Sequence, residues 1–424
     1  MNMSEAATVI PSHPLSAILP SISWKQLVIT GVLIYVGLCR TLRHRRENAL
    51  RRRLGYTDRA SFSRMTVVEA QQVIKFMIAW EMPLSHFLAL EFGIFKTYGV
   101  ESISRLLLAT RNLTDPVMSL KRFEDTAALI GEFMLNPPTS ERAVRGIARM
   151  NFLHSKYVKE GSISNADLLY TLSVFMIEPP RFARLYEWRP MNDMEYCAYG
   201  VFWKSVGDAM GIEYKGLLAH AESGWRDGTE FIDDVAAWAQ SYEVQAMKPS
   251  LICAKPAEAL IPMITYWVPW FAKPFATDIA ISLLGGRVRE AFMLPEPDIA
   301  AVATVYSLLV IRRFVLRHLA LPRFFEFKRL RDPDPKTGRM TQWVPYGNYP
   351  FYTQPTIWNR WGPVAWAKWL YGGKLPGDNP EEYMPQGYLF TDIGPKSRMG
   401  LGIEEMENDV ERIKAIMGYM ALFN

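Results

Sequence analysis

Residues 119–157 read SLKRFEDTAALIGEFMLNPPTSERAVRGIARMNFLHSKY, and this stretch predicts two helices joined by a short break. Apolar residues recur at helical spacing over 120–135 and again over 141–157. The break, NPPTSE at 136–141, carries two prolines followed by Thr139 and Ser140, which are residue types that cap helix starts. Helices joined by so short a break are antiparallel neighbours, so we expect side chains from both to face one cavity.

The first of these helices carries polar residues on two faces. Arg122 and Thr126 lie one turn apart, and Leu129 and Phe133 continue the same face. The other polar face, which we expect to be solvated, carries Lys121, Asp125 and Glu132. Burying an unpaired polar group is costly, so the arginine and the threonine on the otherwise apolar face must find partners.

The second helix carries His154, one of six histidines in the chain. His154 shares its face with Ala143, Ile147 and Met150, which leaves room beside the ring for a flat group. From the residues alone two interpretations stay open. His154 is either a core side chain, with Arg122 held by an acidic partner, or part of a site that it forms with Arg122 and the neighbouring threonine. The usual burial habits of histidine favour the core interpretation.

The remainder of the chain is predicted to be mostly α, with a helical domain over residues 57–320. Further helices are expected over 65–80, 165–176, 192–211 and 299–319, the first with a capping box of Thr66 and Glu69. Prolines and charges interrupt the apolar residues 257–284, which predicts a buried or membrane-dipping helical pair.

Residues 321–424 are predicted to form an irregular, aromatic-rich region packed on the helical domain. Four tryptophans lie within residues 356–372. They indicate either a tail packed on the core or a belt at a membrane surface, where amphipathic rings are favoured. Packing is the preferred interpretation, because Pro363 and the flanking turns interrupt a long interfacial helix.

Residues 24–40 are predicted to form a single transmembrane helix. The run WKQLVITGVLIYVGLC at 24–39 is almost wholly apolar, and seven arginines follow between Arg40 and Arg53. The positive-inside rule then places the short N-terminus, residues 1–23, in the lumen and the body in the cytosol. The alternative is a buried or interfacial helix, for which the arginine block is incidental.

Other classes of protein fit the sequence poorly. The formal net charge is only +5, which argues against nucleic-acid binding, and three distant cysteines form no disulfide framework. The sequence contains no HExxH, ExxH or GxSxG motif and no Walker loop. The histidines have no mutual spacing of three or four residues, so a site that needs one histidine is easier to build than a site that needs several.

Five stretches carry a resemblance to a known family. They are FKTYG at 95–99, KRFEDTAALIGE at 121–132, FLHSKY at 152–157, FWKSVGDAMGI at 202–212 and MPQGYLFTDIGP at 384–395. Through them the chain resembles the family that unites the ER-bound oxygenases of fungal mycophenolic acid biosynthesis with the rubber oxygenases, or latex-clearing proteins. The resemblance to the ER-bound enzymes runs nearly end to end, whereas only the central helical domain corresponds to the rubber oxygenases.

The resemblance implies a mostly helical fold that holds haem b, with His154 as the axial ligand of the iron. It implies that Arg122 and Thr126 lie on the open side, where dioxygen binds. Two positions depart from the rubber-oxygenase pattern: Asp125 stands where those enzymes carry a lysine, and Glu101 is a weak candidate for their catalytic glutamate.

The function implied by the resemblance is that of an oxygenase bound to the ER membrane. With O₂ and an electron donor, it would cleave a C=C bond in the prenyl side chain of a meroterpenoid-type metabolite. One alternative is a non-catalytic, membrane-tethered carrier of prenylated metabolites. Another is an oxygenase with non-haem iron, for which a single histidine is a poor ligand set.

Overall fold

The computed structural model describes residues 23–110, 116–343, 349–418 and 423. The α-helices in these residues are α1 (Trp24–Arg43), α2 (Arg45–Leu54), α3 (Val67–Phe76), α4 (Pro83–Thr97), α5 (Glu101–Ala109), α6 (Pro116–Leu135), α7 (Glu141–Lys159), α8 (Asn165–Tyr186), α9 (Asp193–Ala209), α10 (Gly228–Ala246), α11 (Leu251–Ile264), α12 (Lys273–Leu284), α13 (Gly286–Ala291), α14 (Ile299–His318), α15 (Ile357–Trp361), α16 (Pro363–Leu370), α17 (Pro380–Tyr383) and α18 (Ile403–Gly418). Extended pairing within the described ranges is confined to two isolated bridges. The predicted mostly α fold is therefore confirmed. The predicted lumenal segment lies outside the described residues, except for its last residue.

The local signals at helix starts act as predicted. The Ser140 hydroxyl accepts a hydrogen bond from the backbone N–H of Ala143 at 3.3 Å and caps α7, and α6 and α7 pack against each other. Thr66 and Glu69 form the predicted capping box of α3. The helix expected over 65–80 ends at Phe76 and continues as a π turn, and α8 runs ten residues beyond the predicted end at 176.

Helices α8 and α9 form the centre of the molecule, and most of their side chains are buried. Helix α4 packs along α8, while α3 and α10 pack along α9. The contact between α9 and α10 leaves no space for a side chain: a Cβ atom added at Gly200 would lie 1.8 Å from the carbonyl oxygen of Gly228. The glycine is needed because another backbone occupies the place of its missing side chain.

The C-terminal region contributes more regular structure than its composition predicts. Its helix α18 packs on α7 and α9, so it covers the helix that carries His154.

The tryptophans of α15 and α16, which were predicted to pack on the core, lie at the surface. Trp358 is 76% exposed and Trp369 is 60% exposed. The prediction that this stretch packs on the core is wrong for these rings.

In the part of the chain that the structure describes, two helices are long and apolar enough to cross a membrane. One is the N-terminal helix formed by α1 with α2, as predicted, and the other is α14, of which only 11% is buried within the structure. A bent pair of helices, Val67–Glu81 with Pro83–Thr97, would be a third if it acted as one span. Residues 257–284 fall in α11 and α12, with a break between them, as expected for a helical pair. The single-pass topology stays a prediction.

Candidate functional site

A cavity of about 300 Å³ lies between helices α4 to α9 and a segment near the C-terminus. Apolar side chains form most of its wall, among them Phe133, Phe175 and Trp203. The C-terminal segment closes one side with Ile393 and Gly394. A cavity of this size and lining is typical of a site for an apolar small molecule.

All three predicted site residues line this cavity. Arg122 and Thr126 reach it from α6, and His154 reaches it from α7. The Thr126 hydroxyl donates a hydrogen bond to the backbone carbonyl oxygen of Arg122 at 2.9 Å, so its oxygen remains available as an acceptor. The antiparallel arrangement of the two helices therefore brings the three residues together, as their spacing predicted.

The imidazole of His154 is in its neutral form near pH 7. Burial, with a smaller contribution from the positive charge of Arg122, lowers the pKa of His154 to about 4. The Nδ1 atom is enclosed and has no hydrogen-bond partner among the described residues. A neutral imidazole with an unpaired nitrogen on a cavity wall has the protonation state that a metal ligand requires.

Arg122 brings a positive charge to the same cavity. Within the described parts of the chain, no acidic side chain forms an ion pair with it. The interpretation of His154 as a core side chain expected an acidic partner for Arg122, and the described residues provide none. An arginine without a carboxylate at an apolar cavity can interact with an anionic or polarised group of a ligand.

The polar face expected to be solvated is buried, and that prediction is wrong. The Lys121 ammonium forms an ion pair with Asp125 at 2.7 Å, and both side chains are buried. The Tyr352 hydroxyl donates to Asp125 at 2.6 Å, and the backbone N–H of Gly394 donates to the same carboxylate at 3.0 Å. Burial raises the pKa of Asp125, while Lys121 and the two donors oppose that rise. Asp125 therefore ties α6 to the C-terminal region.

The third member of that face, Glu132, is fully buried. The Arg142 guanidinium binds its carboxylate through two hydrogen bonds of 2.7 and 2.9 Å, and the Tyr388 hydroxyl donates to it at 2.7 Å. The tyrosine belongs to the stretch MPQGYLFTDIGP. Asp125 and Glu132, the two carboxylates of this face, are thus each bound by a residue that lies more than 200 positions further along the chain.

Residues 104–315 match the family described as "ER-bound oxygenase mpaB/B'/Rubber oxygenase, catalytic domain". The chain is 37% identical over 396 residues to the ER-bound oxygenase mpaB' of Penicillium brevicompactum, and the match covers 92% of each chain. It is also 37% identical over 378 residues to the ER-bound oxygenase mpaB of the same organism, covering 88% of this chain and 89% of that protein. The chain belongs to this family. It is an oxygenase.

A fully buried arginine holds the cavity wall of this oxygenase, and the sequence analysis missed it. Arg149 lies five residues before His154 on α7, and its guanidinium donates to backbone carbonyl groups and, at 4.0 Å, to the sulfur of Met406. The carbonyl acceptors, at 2.6–3.0 Å, are those of Thr391, Ile393, Arg398 and Leu401. Residues 391–401 are called the closing segment below. The one sequence signal was the matching stretch 384–395, in which part of this segment lies.

The structure separates a second buried histidine, His86, and the candidate residue Glu101 from the cavity of the oxygenase. The His86 Nδ1 atom shares a hydrogen bond of 2.7 Å with the Tyr199 hydroxyl, and His86 does not line the cavity. Glu101, the candidate for a catalytic glutamate, is an exposed residue that pairs with Arg105 at 2.5 Å and also lies outside the cavity wall. The described residues contain no group of three or more His, Cys, Asp or Glu side chains that could hold a metal ion. The donor set around His154 therefore suits a cofactor that needs only one protein ligand for its metal.

Proposed function

We propose that the protein is a membrane-bound, haem-dependent oxygenase that cleaves a C=C bond in the prenyl side chain of a meroterpenoid-type metabolite. The observation that carries the proposal is the pairing of groups in one enclosed, apolar cavity. A neutral imidazole with an unpaired nitrogen lies on α7, and a guanidinium without an acidic partner among the described residues lies on α6.

The residues of the cavity fit haem b. His154 would be the axial ligand, because its lone pair is free for a metal at neutral pH. When bound, haem supplies the activation of O₂. The chain's own contribution would be the positive charge of Arg122 and the hydroxyl of Thr126, which could stabilise negative charge that develops on oxygen in a mostly apolar site.

The lining of the cavity supports an apolar substrate. Phe133, Phe175 and Trp203 offer aromatic surfaces to a hydrocarbon chain. The choice of a prenyl chain on a meroterpenoid rests on the resemblance to the ER-bound oxygenases. Turnover would also require O₂ and an electron donor.

We test the cofactor by absorption spectroscopy of the full-length protein purified in detergent. Wild-type protein should show a Soret band, and His154→Ala should lose it. His220→Ala, which changes an exposed histidine, is the matched control and should keep the band. Adding free imidazole to His154→Ala should restore part of the band if the variant is folded. A colourless, metal-free wild type would refute haem as the cofactor, and a normal band in His154→Ala would refute the assignment of the ligand.

Arg122 and Thr126 are tested by activity at unchanged haem content. Arg122→Ala and Thr126→Ala should keep the Soret band, because neither residue is proposed to bind iron. Each should lower kcat by roughly 10²–10³-fold, the usual cost of removing one donor that stabilises developing charge. Arg105→Ala, which removes an exposed arginine of α5, is the control and should keep wild-type turnover. Turnover equal to that of the control would contradict the proposed roles.

The proposed location is the ER membrane, with α1 as a single span and the body in the cytosol. The relatives of this chain are named ER-bound, and the arginines that follow α1 support an orientation with the body in the cytosol. Protease treatment of sealed microsomes should digest a tag at the C-terminus and spare one at the N-terminus. The reverse pattern would show that the body lies in the lumen.

A further inference from the structure

Helix α14 presents an apolar face that nothing in the described structure covers. Ala301 and Val305 are buried on one side of the helix, and Arg312 on the same side binds Glu187 at 2.9 Å. Exposed side chains begin on the opposite side and continue round to the edge of the buried side, namely Ile299, Val310, Phe314, Ile311 and Leu308. At 100° per residue these side chains cover roughly 200° of the helix circumference. So wide an exposed apolar face marks an interaction surface.

The exposed tryptophans of α15 and α16 are connected to this face by contacts that run through α12 and the loop before it. Helix α12 packs on α14, and it follows a turn with exposed Trp270 and Phe271. The adjoining Trp267 ring lies 5.3 Å from the ammonium group of Lys368, which belongs to α16. The rings of α15 and α16 therefore neighbour the loop that leads into α12. We call this surface, formed by α14, residues 267–275, α15 and α16, the apolar face.

The apolar face also adjoins the N-terminal helix. The Tyr35 hydroxyl of α1 donates to the carbonyl oxygen of Leu319 at 2.8 Å, and the Arg43 guanidinium donates to the carbonyl oxygen of Leu316. Arg46 donates to the carbonyl oxygen of Arg323 at 2.6 Å. The end of α14 is thus attached to the segment that is expected to cross the membrane.

The charges around the apolar face are those of a surface that meets anionic lipid. Residues 299–325 contain four arginines, and neither they nor residues 355–370 contain an aspartate or a glutamate. Tryptophans among basic residues are typical of the interface between headgroups and hydrocarbon. A protein partner would also cover an apolar face, but the direct contact with α1 brings this one to the bilayer.

Seating this face in lipid would bring the bilayer close to the cavity. A small pocket of about 20 Å³ shares Arg122 and Thr126 with the cavity and extends to Leu260 and Met263 of α11. Helix α11 ends at Ile264, three residues before Trp267. The residues that follow α11 therefore lead from this small pocket directly into the apolar face.

We propose that the apolar face is seated in the leaflet next to the body, so that the protein is held on the membrane by a second surface besides α1. On this view α14 and the tryptophans lie in the interface, partly among lipid tails, and the body cannot rotate freely away from the bilayer. The proposal concerns only the position of the surface and is independent of the cofactor.

Spin labels on the full-length protein in vesicles of phosphatidylcholine and phosphatidylserine test the proposal. Single cysteines replace Val310, Phe314 or Trp366 on the apolar face, and the three native cysteines are buried. Val158→Cys is the matched control, an exposed apolar residue on α7 outside the face. Collisions of each label with O₂, which dissolves in lipid, and with a water-soluble nickel chelate are measured by electron paramagnetic resonance.

Labels on the apolar face should lose their accessibility to nickel and gain accessibility to O₂, whereas the label at position 158 should show the opposite pattern. The same measurement on protein in detergent, without the vesicles, is the reference state for each label. Because α1 keeps every variant in the same vesicles, the measurement reports the seating of the face and not the attachment of the protein. Nickel accessibility at positions 310 and 366 as high as at position 158 would overturn the proposal.

Discussion

Replacing Arg149 should loosen the closing segment. Arg149→Met removes five hydrogen bonds from a guanidinium to four backbone carbonyl groups in residues 391–401. An unpaired buried acceptor costs about 1–3 kcal/mol, and water can reach some of the released carbonyl groups, so we expect a loss of about 3–5 kcal/mol. With an unfolding entropy of about 2.1 cal/mol/K for each residue, that loss lowers Tm by about 3–6 °C for a chain of this length.

The assay combines thermal unfolding in detergent with limited proteolysis. Tm reports the stability of the whole body, while new cleavage between residues 391 and 401 reports release of the segment itself. Arg145→Met is the matched control, because this arginine of the same helix pairs with Glu141 and Glu407 at the surface. It should change Tm by less than about 1–2 °C, since exposed ion pairs contribute about 0–1 kcal/mol. A Tm for Arg149→Met equal to that of the control, without new cleavage, would refute the reasoning.

Two further predictions concern backbone packing and pH. Gly200→Ala should prevent folding or sharply lower the yield of folded protein, because its Cβ atom would meet the Gly228 carbonyl group. Gly286→Ala is the control and should be tolerated, because its Cβ atom would meet no other atom within 4 Å. Equal yields of folded protein from the two variants would contradict this prediction. Burial raises the pKa of Glu81 from 4.5 to about 7, so the folded chain binds a proton there that the unfolded chain has lost. The stability contributed by the protonated carboxyl is therefore lost as the pH rises between these values. Glu81→Gln, which cannot ionise, should gain Tm relative to the wild type between pH 5 and pH 8, and a difference that does not change with pH would count against the assignment.

The local sequence predicted the two helices that carry the site and the side of each that faces the cavity. Helical spacing fixes which residues share a face, and a Ser140 cap with a short break fixes how α6 and α7 meet. These are interactions between residues close in sequence. For that reason Arg122, Thr126 and His154 could be expected at one cavity before their partners were known.

The covering of the other faces could not be predicted in the same way. A polar face on a helix looks the same in sequence whether water or a distant polar group lies against it. Asp125 is bound by Tyr352 and Gly394, which are separated from it by 227 and 269 residues. The tryptophans present the converse problem, because an aromatic stripe has the same spacing whether it contacts a protein core or lipid.

The closing segment has a consequence for the order in which the protein matures. Its residues leave the ribosome long after those of α1, which are available for insertion while most of the body is still unmade. Until Ile393 and Gly394 dock beside Arg149, the chamber between α6 and α7 is a groove open to its surroundings. A ligand of this chamber can therefore bind as this wall docks. A nascent chain that stops at residue 315, where the family match ends, would have the anchor and the histidine but no closed compartment.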